Sequence, residues 1–431
     1  MALNHLNQYK PTFYIPENLD LRSILGEYEP DWVKHIDKFH YLVDKLYTTK
    51  FLDKRYSLES NQENTSSTSL LTYTSYGVTF PQVKPVYSHL THEEKRESKR
   101  KYVNLNMNMI RNVLNTRFTR TVMDTLFDLK IIETDNQYIP KIKSKGYRLR
   151  IPYHSQPFKE YSVFDNKFLI KLKRIREEEI NTLNNVHRWL YENLYSFSFD
   201  IQQAQSIINS LSLTVDEHIG LALSIDKIVN KDIFFSTDCK TGRVFHNFGN
   251  IKREFRDCIK DSDGNSLVEI DISNSQPFFL GLLLVGNNVN GIDVERYKEI
   301  TKNGHLYDFF CQKYSLERDY VKKQLLTLFF CKNHWEFKLK DIFISEFPTV
   351  YTFIENIKEE DNSKLAIILQ RLEARTIIDS VSPILLQDNV KFITVHDSIM
   401  CAEKDCETVK KTMEVVFQNR YGIIPSLRIK E

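Results

Sequence analysis

Two stretches in the second half of this 431-residue chain end alike: Ser266 to Asp271 (SLVEID) and Val390 to Asp397 (VKFITVHD) are apolar runs, each closed by an aspartate. Runs of this length predict β-strands, and an acid closing a buried strand stands where a sheet meets a cleft. If the two strands are neighbours, Asp271 and Asp397 face each other. Nucleotidyl transfer needs such a pair: hard oxygen ligands shared between two Mg²⁺ ions about 4 Å apart, one activating the attacking hydroxyl and the other stabilising the pyrophosphate leaving group.

The segment between them adds positive charge. Ser315 to Asn333 (SLERDYVKKQLLTLFFCKN) predicts one helix with Arg318, Lys322 and Phe330, at i, i+4 and i+12, on one face. Cations one turn apart can hold the β- and γ-phosphates of a triphosphate as charge develops, and the later ring can pack on base or sugar. Each feature alone has a plainer reading, since many strands end in Asp and many helices carry a solvated basic face.

In combination these segments resemble family A polymerases, the group of bacterial DNA polymerase I and the phage-type single-subunit RNA polymerases. Asp271-Ile272-Ser273-Asn274-Ser275-Gln276 resembles motif A, Arg318-x3-Lys322-x7-Phe330 the fingers O-helix, and Val395-His396-Asp397-Ser398 motif C. Upstream, Gly242-Arg243-Val244-Phe245-His246, then Asn250 and Arg256, is similar to the stretch that holds primer and template. Gln370, with Glu373 and Arg375 on a predicted helix, is similar in placement to residues reading the template minor groove; a buried polar helix contact is the alternative. The resemblance covers about residues 236 to 431. It implies a right hand of palm, fingers and thumb, with Asp271 and Asp397 catalytic and, with the backbone carbonyl of Ile272, ligating two Mg²⁺ that Mn²⁺ can replace. It further implies Arg318, Lys322, Phe330, Gln276 and Ser273 around the nucleotide, and Arg243, Asn250, Arg256, Gln370, Arg375 and His396 on primer and template.

There are departures. Phe330-Cys331 stands where the family has Tyr-Gly, so finger opening is expected to pivot differently. Ser398 follows the motif C aspartate where the DNA polymerases carry Glu, as in the RNA polymerases. Gln276 stands where DNA polymerases have a Glu that blocks the ribose 2′-OH and RNA polymerases have Gly. The glutamine is bulky enough to obstruct, so sugar choice leans to deoxy. No carboxylate set of a proofreading exonuclease is visible.

The elements around these motifs divide the chain into 1–84, an N-terminal region with the polar run Ser57 to Ser69 (SLESNQENTSSTS); 85–152; a helical connector, 153–235; and the polymerase-like core, 236–431. Residues 85–152 carry 14 Lys or Arg against 7 Asp or Glu, within a chain of net charge +2. The order there is a polar helix from Glu93, a helix over Asn106 to Leu114, another over Thr119 to Leu129, then a Lys-rich hairpin (ETDNQYIPKIKSKGYRLRI). That order predicts a winged helix, with Arg117, Arg120, Lys143 and Lys145 on duplex phosphates; a small helical packing domain with a solvated charged face is the plainer alternative. The connector predicts helices at Phe168–Thr182, Val186–Leu194, Ile201–Leu211 and Val215–Val229.

Composition closes other routes. With 12 glycines and neither a GxxxxGK[ST] nor a GxGxxG string, ATPase and dinucleotide-binding readings lose their support. Six cysteines without a CxxC pair suit reduced core thiols. No uncharged apolar stretch reaches 18 residues and no signal-peptide pattern opens the chain, so a soluble, cytoplasmic monomer without membrane contact is expected. The expectation is thus an α+β, template-dependent DNA polymerase of a phage or mobile element, acting on DNA template, primer and nucleoside triphosphates, with RNA as a further candidate template. An RNA polymerase or primase on the same fold is the alternative. A non-catalytic initiator is disfavoured because both aspartates and both cations are retained, and unpaired charge in a buried cleft costs several kcal/mol.

Overall fold

Alternating and helical patterns become strands and helices close to where the sequence places them. The computed structural model describes residues 10–52, 69–72, 79–82, 102–138 and 144–430. The polar run up to residue 68, the helix expected from Glu93, the turn of the Lys-rich hairpin and Lys143 lie outside the described residues. The chain groups into two units, Met1–Thr182 with Asp200–Asp232, and Leu183–Phe199 with Ile233–Glu431. The N-terminal region, the two-helix segment and most of the connector therefore share the first unit. The architecture is a helix-rich α+β one.

In the first unit the chain runs β1 (Thr12–Pro16), α1 (Ile36–Leu52), β2 (Val103–Asn104), α2 (Met107–Leu114), α3 (Thr116–Asp128), β3 (Ile132–Thr134), β4 (Gly146–Leu149), β5 (Phe158–Ser162), α4 (Asn166–Asn181), α5 (Ile201–Ser210) and α6 (Val215–Val229). Strands β1 and β5 pair antiparallel, and β4 lies between β2 and β3. Asn106 caps α2 through its side chain, and Asn115 caps α3 by accepting from the Phe118 N–H at 2.9 Å. Val122 and Leu126 are fully buried. Phe118 sets its ring edge-on to Trp32 and beneath the Lys38 ammonium, 3.8 Å from the centroid, tying α3 to the N-terminal region. Arg117, Arg120 and Lys145 are exposed; Arg120 lies 3.6 Å from Asp124 one turn on.

In the second unit the elements around the site are β6 (Phe235–Thr237), β7 (Val244–His246), β8 (Leu267–Ile272), α7 (Ser275–Gly286), α8 (Leu306–Tyr314), α9 (Arg318–Phe330), α10 (Lys364–Thr376), β9 (Phe392–Val395), β10 (Ser398–Ala402), α11 (Cys406–Tyr421) and β11 (Leu427–Lys430). Four strands form an antiparallel sheet in the order β9-β10-β8-β11. Because side chains alternate along a strand, Ile270 and Ile272 enter a core with Phe279, Met413 and Phe417, while Glu269 and Asp271 share the opposite face.

The outer edge of β9 is plugged by side chains. Asn193, on the helix Asn185–Asn193, donates to the Phe392 carbonyl, and the buried His246 Nε2 donates to the Thr394 carbonyl at 2.9 Å. His246 Nδ1 in turn accepts from the Gly249 N–H at 3.0 Å. A Cβ at Gly249 would stand 3.2 Å from the His246 ring, closer than ordinary van der Waals contact, so the glycine lets the ring sit there without shifting. Of the cysteines expected as core thiols, Cys258 and Cys401 are buried, Cys239 is exposed and the rest are partly covered; all six are free. No helix among the described residues is long and apolar enough to cross a membrane.

Candidate active site

Two strand ends and a turn bring the acids together. Asp271 on β8 is registered opposite Ser398, the first residue of β10. Asp397 immediately precedes it in the two-residue turn His396-Asp397 between β9 and β10. His396 takes a left-handed backbone (φ 56°), a costly conformation of the kind that collects at functional turns. A third carboxylate arrives from α10: Glu373, 1% exposed.

Burial pushes the Asp397 carboxyl up to about 7, reinforced by the negative charges of Glu373 and then Asp271, with the Ser275 hydroxyl acting weakly the other way. Burial also raises Glu373, against the pull of Arg243 and Gln276. Two cations offset the cluster. Arg243 grips Glu373 with Nε and Nη2, both at 2.8 Å, and the Lys430 Nζ lies 2.6 Å from Asp271 Oδ2.

Gln276 sits on the first turn of α7, after Asn274 in the left-handed region (φ 54°) turns the chain out of β8. Its Nε2 donates to Glu373 Oε2 at 2.6 Å, which fixes the amide and leaves the buried Oε1 without a partner among the described residues. Ser273 is held by its N–H to the Ser426 carbonyl at 2.9 Å, and Ile272 is buried at the strand end.

Helix α9 spans Arg318–Phe330, capped by the Glu317 side chain. Arg318 pairs with Asp308 and lies 5.7 Å from the centroid of the Tyr307 ring. Tyr307 links the helix to the acids: burial pushes its hydroxyl up to about 12, with Asp397 and Asp271 adding to the rise and Arg318 opposing it. Lys322, one turn on, is exposed and has no partner among the described residues. Phe330, 36% exposed, ends the helix about 18 Å along the axis from Arg318 and about a third of a turn round, so it does not share the face expected for it, because twelve residues are not a whole number of helical turns.

Asp271 and Asp397 thus stand at adjoining strand ends, and Arg243, Glu373 and Gln276 form one hydrogen-bonded chain whose carboxylate adds to the negative charge facing Asp397; Arg318 makes no direct contact with either aspartate among the described residues. The remaining expected residues have their own surroundings. Arg256 pairs with Glu269 at 3.1 Å; Asn250 and Arg375 are exposed and Gln370 half-buried; His396 sets its ring edge-on to Phe245. A cleft of about 260 Å³ opens on the same sheet face, lined by the basic Arg253, Arg256 and Lys430 and the acidic Glu254, Asp257 and Glu269 in equal number. Glu269, Tyr307 and Lys430 were not singled out from sequence. Glu269, two residues before Asp271 on a strand, had a signal in its spacing; the other two had none.

The donors suit Mg²⁺. Asp271, Asp397 and the Ile272 carbonyl are hard oxygens of the kind Mg²⁺ takes, although no group of three His, Cys, Asp or Glu among the described residues is placed to cage a metal. One or two carboxylates, with the remaining positions left to water and substrate oxygens, is how Mg²⁺ is ordinarily held.

No protein-family model and no curated protein matches the sequence. Among solved structures the chain is similar to the POL domain of Pol1 from M. smegmatis, determined in complex with DNA primer-template and dNTP, with a TM-score of 0.38 and 13% identity. The match covers 53% of this chain and 54% of that one, so the chain spans about half the length of this neighbour.

Proposed function

We propose that the chain is a template-dependent nucleotidyltransferase: a DNA polymerase of family A type, working without proofreading, from a phage or mobile-element replication system. The observation that carries this reading is the convergence of Asp271 and Asp397 at adjoining strand ends. Two Mg²⁺ held by Asp271, Asp397 and the Ile272 carbonyl would supply charge stabilisation at the attacking and leaving oxygens. The chain's own groups do the rest. Arg318 and Lys322 hold the phosphates as charge develops; Glu373, clamped by Arg243, orients Gln276 toward the sugar; the cleft along β8 takes the primer strand through Arg253 and Arg256. In the first unit, the order strand, helix, helix, hairpin supports a winged-helix reading in which Arg117, Arg120 and Lys145 contact duplex phosphates.

A ribonucleotide-using polymerase or primase is the second reading, favoured by one observation. With its Nε2 committed to Glu373, Gln276 offers the sugar an acceptor oxygen, which suits a 2′-OH donor as well as it obstructs one. Primer extension comparing dNTPs with rNTPs on DNA and RNA templates separates the readings. Asp397→Asn should abolish incorporation with fold and template affinity intact. A variant that keeps a tenth of the wild-type rate, a loss of only about 1.4 kcal/mol, overturns the assignment.

A further inference from the structure

Lys430 is the last residue of β11, and the cross-strand register sets it opposite Glu269, while Arg428 stands opposite Asp271. Yet Arg428 is exposed, and it is Lys430 that reaches diagonally to Asp271 Oδ2, at 2.6 Å, keeping Glu269 Oε1 at 3.4 Å. The ammonium therefore sits between two carboxylates on one strand face. One is the proposed metal ligand. The other is held at its far oxygen by Arg256, 3.1 Å away. Diagonal neighbours across a sheet lie within reach of a long side chain, so one Lys430 stem serves both acids with only a change of rotamer.

We propose that Lys430 is a resident counter-ion that a divalent cation must displace, and that Glu269 is the berth to which it withdraws. An ammonium at Oδ2 and a divalent cation on the same carboxylate repel each other, so ion binding at Asp271 drives the lysine away from it. Glu269 keeps it paired on leaving, since a half-buried ammonium stripped of both acids would be costly. Metal affinity is thus set by a lysine and a glutamate that are not themselves ligands. The inference rests on Asp271 being a metal ligand.

The test is Mn²⁺ titration of the full chain, read by the electron-spin signal of free Mn²⁺, with thermal melts confirming folded variants. Lys430→Met should tighten Mn²⁺ binding about tenfold. Glu269→Gln should weaken it about threefold by leaving Lys430 no other partner. In Lys430→Met, adding Glu269→Gln should change affinity by less than twofold, the coupling that a double-mutant cycle isolates. Lys430→Arg, which keeps the charge, should bind as wild type and guards against a misfolded Met variant. Unchanged or weaker binding in Lys430→Met overturns the proposal, and so does a Glu269→Gln loss of equal size in both backgrounds, which would make Glu269 a ligand. Asp271→Asn keeps the two failures apart. If it abolishes binding while Lys430→Met gains nothing, only the lysine's role falls; if it binds Mn²⁺ as wild type does, the active-site reading falls with it.

Discussion

At the scale of single residues, the cations of α9 differ in what they are free to do. Arg318 is engaged by Asp308 and stands against Tyr307, whereas Lys322 is exposed and unpaired among the described residues. Lys322→Ala should therefore lower kcat/KM for nucleotide by roughly ten- to a hundredfold with template affinity unchanged; steady-state kinetics beside a DNA-binding titration checks this, and an unaltered kcat/KM removes the helix from the phosphates. Gln276 is the sharper probe. If its amide clashes with a 2′-OH, Gln276→Gly should raise the ratio of rNTP to dNTP kcat/KM by roughly one to two decades, about 1.4 to 2.7 kcal/mol of relieved repulsion. A fall in that ratio instead makes the glutamine a hydrogen-bond acceptor for the ribose and installs the second reading.

At the scale of elements, what was legible in the sequence is what local pattern encodes. Apolar runs closed by an acid gave β8 and the β9–β10 turn to within two residues, and the 3.6-residue period placed α9, α4 and α6. Pairings between distant segments have no such local code. Arg243 grips Glu373 from 130 positions away, and Lys430 reaches Asp271 only because β11 joins β8 in one register of several its alternation would allow. Arg243, expected on nucleic acid, is therefore found supporting Gln276 through Glu373. The β9 edge shows the same dependence. Burial holds the His246 imidazole down to about 4, only partly offset by its bond to Thr394, so it stays neutral with Nε2 protonated. A folded value below the unfolded one of about 6.5 means its contribution is complete above pH 6.5 and is lost as pH falls through 6.5 toward 4. Comparing denaturant melts of wild type and His246→Gln, the wild type's advantage should shrink by about 2 kcal/mol between pH 7 and pH 5. An advantage constant with pH would mean the imidazole titrates in the fold as it does in the unfolded chain.

At the scale of the whole molecule, charge is sorted rather than abundant. A net +2 hides a segment, 85–152, with twice as many basic as acidic residues, of which Arg117, Arg120 and Lys145 are exposed in the first unit. Changing all three to alanine should weaken duplex binding and flatten its log–log salt dependence by about 2.7, at about 0.9 for each phosphate no longer neutralised. A slope equal to that of the wild type leaves the patch a solvated surface. The proposed chemistry belongs to the other unit, so primer extension at saturating DNA should survive these changes.

The plugged edge of β9 has a consequence for how copies of the chain meet. Carbonyls spaced two residues apart along a flat, apolar strand are a ready template for a strand from another molecule, and here Asn193 and His246 occupy them both. The two side chains act as a guard against self-templated association, so acidification that loosens His246 should turn a dispersed chain into one that aggregates, even under conditions where most of the fold survives.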